Sequence, residues 1–110
     1  MKKYLTRALF GLAIGLVWAA GARAAEASAG KATYEKSCVG CHGADGKGNP
    51  AMGKVLGEKG LNLTTKEVTQ ASDEKLLKVL AEGAGKMPAQ KSLSKDEQKQ
   101  VLGHVRSLAK

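Results

Sequence analysis

Apolar residues recur along this chain in two different ways. Near the start they form one unbroken run, Ala8 to Ala22, with Lys2, Lys3 and Arg7 before it and Arg23 after it. Further on they return at helical spacing. Leu76, Leu77, Val79 and Leu80 mark one amphipathic segment, and Val101, Leu102, Val105 and Leu108 mark another. No segment alternates with period two, so the pattern predicts an all-α domain.

The polar positions say where the helices begin and end. Ala27 to Cys38 lacks proline and predicts a first helix, with Ala29, Thr33 and Tyr34 at helical spacing and Ser28 as its cap. Gly43, Gly46, Gly48, Gly53, Gly57 and Gly60, with Pro50 among them, predict a long ordered loop. Thr64 followed by Glu67 predicts a capping box for a short helix. Ser72-Asp73-Glu74 opens a clearer one, which Gly83 stops. A second loop, Gly85 to Leu93, contains Met87-Pro88. Ser94 and Glu97 then form the capping box of the final helix.

The opening run reads differently from the helices that follow. Its 15 residues match a signal h-region and fall short of the roughly 20 needed to span a membrane. Ala22-Arg23-Ala24 supplies the small-x-small pattern of a cleavage site. Residues 1–24 are therefore expected to be a signal peptide and 25–110 a single exported domain, placing it in the periplasm without stable membrane insertion.

Cleavage changes the charge picture. The whole chain carries 18 basic and 10 acidic side chains. Lys2, Lys3, Arg7 and Arg23 leave with the signal, so 14 basic face 10 acidic and the balance falls from +8 to +4. The remaining lysines are dispersed, which argues against nucleic acid, whose binding calls for a clustered basic face. Tyr4, Phe10 and Trp18 leave as well, so Tyr34 is the sole aromatic of the domain. A domain this small often needs a staple or cofactor to complete its core, and a large buried cofactor would supply the missing bulk.

Both cysteines lie in Cys38-Val39-Gly40-Cys41-His42. Thiols two residues apart on one turn can each add across a vinyl group of the same haem, giving two thioether bonds. His42 is then held under the iron as a natural proximal ligand. This is the attachment signature of c-type haem, and His with Met is the usual axial pair of electron carriers. Three other readings fit less well. A thioredoxin-like redox pair would sit in a βαβ setting. Zinc would need a fourth ligand, and the only other histidine, His104, comes late and alone. A disulfide across so short a loop would stabilise little. The glycine-rich loop lacks the Gly-Lys-Ser/Thr ending of a phosphate cradle, and Asp45 alone makes no calcium site.

Taken together, these residues resemble a class I monohaem cytochrome c of the small bacterial, cytochrome c6-like or c5-type kind. The resemblance runs from Gly30 to Tyr34, through Cys-x-x-Cys-His-Gly and Gly-Lys-Met-Pro, to the Leu-Ser-x-x-Glu of the final helix. It implies short helices around one haem, with the first and last helices crossing. It also implies one haem c bound through Cys38 and Cys41, with His42 as proximal and Met87 as distal iron ligand, and Pro50 as the residue whose carbonyl orients the His42 imidazole. Gly30 and Tyr34 fall where the first helix meets the last, and Gly103 suits a close crossing. The family often has Tyr where this chain has His104, for which a packing role is expected.

The domain has two methionines. Met52 lies ten positions after His42, beside Pro50, where the chain most naturally returns along the proximal side. Met87 lies 45 positions after His42, beyond a complete helix, with the length to reach the opposite face. Filling both axial positions leaves none for a substrate. The expected function is thus single-electron transfer rather than catalysis, by a monomer serving redox protein donors and acceptors. Lys47, Lys54, Lys86 and Lys91 lie in the loops expected around the haem edge and are candidate docking charges. The alternatives are a haem sensor or peroxidase-like enzyme with an open sixth position, and a haem subunit of a larger respiratory complex.

Overall fold

A computed structural model describes the backbone of residues 13–109 and the side chains of residues 25–109. Residues 1–12 of the expected signal segment, and the side chains of all of it, therefore lie outside the described residues. Six helices follow in order: α1 (Ala13–Ser37), α2 (Val39–His42), α3 (Pro50–Leu56), α4 (Lys66–Gln70), α5 (Asp73–Glu82) and α6 (Lys95–Leu108). Among the described residues there is no strand, only an isolated antiparallel bridge between Ala84 and Met87. The all-α class read from the pattern holds.

Three helix starts differ from the sequence reading, each for a local reason. α1 runs through Ser28, so that serine caps nothing. The chain around it is rich in alanine and free of proline, and nothing there interrupts a helix. The glycine-rich segment is not all loop, because α3 forms inside it. Pro50 takes the first helical position, where its missing N–H costs nothing, and the Asn49 side chain accepts the Ala51 N–H at 3.0 Å. Gly53 sits inside that helix, buried. The cap of α4 falls one residue later than expected. Thr65 accepts the Val68 N–H at 3.4 Å, whereas Thr64 turns back to the Asn62 side chain at 2.7 Å.

The other two caps match. The Ser72 hydroxyl accepts the Lys75 N–H at 3.2 Å, with Asp73 and Glu74 in the first turn of α5. Gly83 ends that helix at φ 79°. In the capping box of α6, the Glu97 N–H donates to Ser94 at 3.1 Å and the Ser94 N–H donates to Glu97 at 3.2 Å.

The dominant helix contact is α1 against α6. Gly30 makes it possible, since a Cβ there would run into the Gln100 carbonyl of α6. Gly103 plays no such part. It is exposed, and a Cβ on it would meet nothing within 4 Å. The close approach falls one turn earlier on α6, where backbone rather than side chain faces α1. Behind Gly30 the core closes on Tyr34 (1% exposed), Val101 (0%), Leu102 and Cys38, with Leu63, Leu80, Val105 and Leu108 packed partly against it. Arg106 ties the end of α6 to the α4–α5 junction, donating from Nε to the Asp73 carboxylate at 2.8 Å and from Nη2 to the Ala71 carbonyl at 2.7 Å.

Candidate haem site

The site is built on the joint between α1 and α2. Cys38 ends the first helix, with its N–H on the Tyr34 carbonyl at 2.9 Å. It also starts the second, its own carbonyl accepting the His42 N–H at 3.0 Å and the Cys41 N–H at 3.3 Å. One tight turn thus carries both thiols and the imidazole. Cys38 is buried, Cys41 half-buried, and both are free thiols. Burial, and then Cys41, push the Cys38 thiol above its ordinary pKa, so it is held neutral.

His42 is 8% exposed and its Nδ1 lies 2.8 Å from the Leu61 carbonyl. A carbonyl only accepts, so Nδ1 carries the hydrogen, which in a neutral imidazole leaves the lone pair on Nε2. A metal-binding histidine is fixed in this way, by a partner on its other ring nitrogen. That partner is Leu61, not Pro50, which is occupied as the first residue of α3. The Leu61 backbone is positioned by its N–H on Glu58 at 3.2 Å, and the returning loop by Gly48 N–H on His42 at 2.7 Å and Leu63 N–H on Gly46 at 2.6 Å. Nothing in the sequence distinguishes Leu61, because the group that acts is a main-chain carbonyl.

Tyr34 braces the same turn from below. Its hydroxyl donates to the Gly43 carbonyl at 2.6 Å, next to His42. Burial, then Cys38 and Asp45, push the phenol up to about 12, so it stays a donor. The Tyr34 ring lies 4.9 Å from that of His104, tilted by 52°. His104 therefore packs on the first helix as expected. Its pKa is lowered by burial, then by Lys31, with Glu35 opposing.

A folded-state pKa below the unfolded value of 6.5 means the unfolded chain takes up the proton first. The stability this confers is present above about pH 6.5 and is lost as pH falls through the folded value. Unfolding free energy measured between pH 7 and pH 5 should drop with a slope that His104→Tyr makes shallower. The same variant should keep the haem spectrum and hold or raise stability at pH 7. An unchanged slope would remove His104 from the acid response.

Met87 lies on the connection between α5 and α6. Its N–H donates to the Ala84 carbonyl at 2.9 Å and its carbonyl accepts the Ala84 N–H at 3.1 Å, a tight turn that leaves the side chain half-buried. Gly83 is required there, because a Cβ would lie 2.7 Å from the Met87 carbonyl oxygen. The Gln90 N–H on the Leu80 carbonyl, at 2.8 Å, folds the turn back onto α5. Met52, on α3, is also half-buried.

The donor set suits haem c. Two thiols on one turn and a buried imidazole held by its Nδ1 are the donors such a group needs, and Leu56, Leu61, Leu76 and Leu77 are half-buried apolar side chains available to cover it. Among the described residues no group of three or more His, Cys, Asp or Glu is disposed to hold a metal ion by itself, so the turn does not form a zinc cage. An open pocket under α3, bordered by Lys47, Pro50, Gly53, Glu58 and Lys59, touches none of Cys38, Cys41, His42 or Met87.

Fold and donor set define the class: a small, monohaem, class I c-type cytochrome. The chain belongs to the family described as cytochrome C oxidase, cbb3-type, subunit III, whose model matches residues 25–105. Neither a curated protein nor a solved structure matches it. Among the described residues no helix is long and apolar enough to cross a membrane.

Proposed function

We propose that residues 25–110 form an exported single-haem electron carrier, with the group attached through Cys38 and Cys41 and its iron held by His42 and Met87. Bound haem c would supply a reversible one-electron couple. The observation that carries this reading is the cysteine turn with His42 Nε2 left free by the Leu61 carbonyl. The protein's own part is to hold that imidazole at fixed tautomer and angle, to bring a neutral thioether from the opposite side, and to keep water away with apolar walls. The neutral thioether and the exclusion of water favour the reduced state and a comparatively high potential. Were His42 and Met87 both to hold the iron, no place would remain for substrate, so the proposed role is transfer rather than catalysis.

Attachment is tested by intact mass spectrometry after export. The expected mass is the chain from Ala25 plus one haem, retained through denaturation and acidified-solvent extraction. A mass equal to the bare polypeptide would sink the proposal. Residues 1–24 act here as the signal peptide that delivers the chain to the periplasm.

A second reading is favoured by the family match across 25–105. In it the domain is the haem-bearing part of a larger respiratory assembly rather than a free monomeric shuttle. The same domain fold serves both roles. In either role the exposed Lys47, Lys54, Lys86 and Lys91 are proposed to steer an acidic redox partner. Association should then slow steeply between low salt and about 0.15 M, where the screening length falls to roughly 8 Å. A rate independent of ionic strength in stopped-flow measurements would exclude these charges from docking.

A further inference from the structure

The Met87 turn and the cysteine side of the domain are joined in an unexpected way. Residues 84–93 are held by bonds within the second half of the chain: Met87 with Ala84, Gln90 with Leu80, and Leu93 with Gln90. On the other side, α3 makes its main helix contact with α2. Among the described residues, one hydrogen bond links the turn to anything before residue 71. It runs from Lys86 Nζ to the Leu56 carbonyl, at 3.1 Å across 30 positions.

The acceptor is well chosen for a cation. Leu56 is the last residue of α3, and the Gly57 N–H that follows bonds to Gly53 instead. Among the described residues no backbone N–H further along the chain bonds to the Leu56 carbonyl, which leaves it one of the unpaired groups at a helix C-terminus, where partial negative charge accumulates. Lys86 is the immediate neighbour of Met87, so its backbone cannot move away from α3 without taking Met87 with it. A span of one residue is about 3.8 Å.

We infer that Lys86 is a positioning residue: its ammonium on the Leu56 carbonyl is a clasp that ties the Met87 turn to the end of α3 and would keep the thioether in reach of the iron. The inference rests on the proposed Met87 ligation and adds to it a control on how often that ligand lets go. A lysine so placed is exposed, so its bond is weaker than a buried charge-assisted one. The effect should show in opening of the turn rather than in folding of the whole domain.

The test uses ferric holoprotein with Lys86→Ala, Lys86→Arg and, as a control for lost charge on the other side of the clasp, Lys54→Ala. Two readouts are taken: the rate of imidazole binding to the iron, and the temperature at which the far-red sulfur-to-iron band disappears relative to helix melting followed by circular dichroism. Lys86→Ala should bind imidazole about three- to tenfold faster and lose the band well before the helices melt. Lys86→Arg, which keeps a donor, and Lys54→Ala should behave like wild type. Equal rates in Lys86→Ala and Lys54→Ala would overturn the clasp while leaving Met87 as ligand. A wild-type protein with no far-red band would overturn the Met87 ligation itself, and the clasp with it.

Discussion

Met87→Ala is expected to abolish the far-red sulfur-to-iron band of the oxidised protein, open the iron to added imidazole or azide, and lower the midpoint potential. Axial ligation moves haem potentials over about 0.8 V in all, and loss of a thioether should take a shift on the order of 0.1 V. Met52→Ala should leave band and potential in place. Met52 is half-buried on α3, in the segment that follows His42 by a short return, so its removal costs packing alone, roughly 1–3 kcal/mol at a partly covered site. The two methionines therefore predict opposite phenotypes by two different measurements, spectrum against unfolding. The turn that holds Met87 supports the distinction. Its two bonds with Ala84 and the constraint at Gly83 fix the backbone of Met87, whereas α3 would keep its shape with any helix-forming side chain at position 52. If Met52→Ala lost the band and Met87→Ala kept it, the distal assignment would be reversed.

How much of this was legible beforehand depended on whether the acting group was a side chain. Cys38, Cys41 and His42 declare themselves through spacing, and they fold onto one turn because three consecutive carbonyl bonds close it. Ser72, Ser94, Glu97 and Gly83 declare themselves as caps for the same reason: each works through its own hydroxyl, carboxylate or missing Cβ. The Leu61 carbonyl had no such signal. Any residue supplies a carbonyl, and only the path of the loop decides which one reaches Nδ1, so an expectation placed on Pro50 missed by eleven positions. Pro50 itself was misread for an instructive reason. Asn-Pro amid glycines marks a turn, yet the same pair is also a helix start when the residues after it, here Ala51 to Leu56, accept helical geometry. Gly103 was mistaken in a similar way. A glycine on a helix that crosses another is attractive as the contact point, but a crossing needs only one missing Cβ, and Gly30 provides it against the backbone at Gln100.

That single missing Cβ carries the second large expectation. Gly30→Ala should destabilise the holoprotein by about 2–4 kcal/mol, at and somewhat above the usual range for overpacking. A new Cβ would overlap the Gln100 carbonyl oxygen and lie 2.8 Å from its carbon. These are main-chain atoms in the middle of α6, so no side-chain rotation relieves the clash and the helices must separate. Separation would be felt at once by Tyr34 and Val101, which have essentially no exposure. It would reach the site through the Tyr34 hydroxyl, whose bond to the Gly43 carbonyl braces the turn that carries His42. The expected result is therefore a lower denaturant midpoint together with a perturbed haem spectrum. Gly103→Ala offers the internal contrast. It places a better helix former at an exposed position with open space around it, and should stabilise by roughly 0.5–1 kcal/mol. Chemical denaturation followed by circular dichroism and by the Soret band measures both variants. Equal midpoints for the two alanine variants would mean that the α1–α6 crossing does not depend on the backbone contact at Gly30.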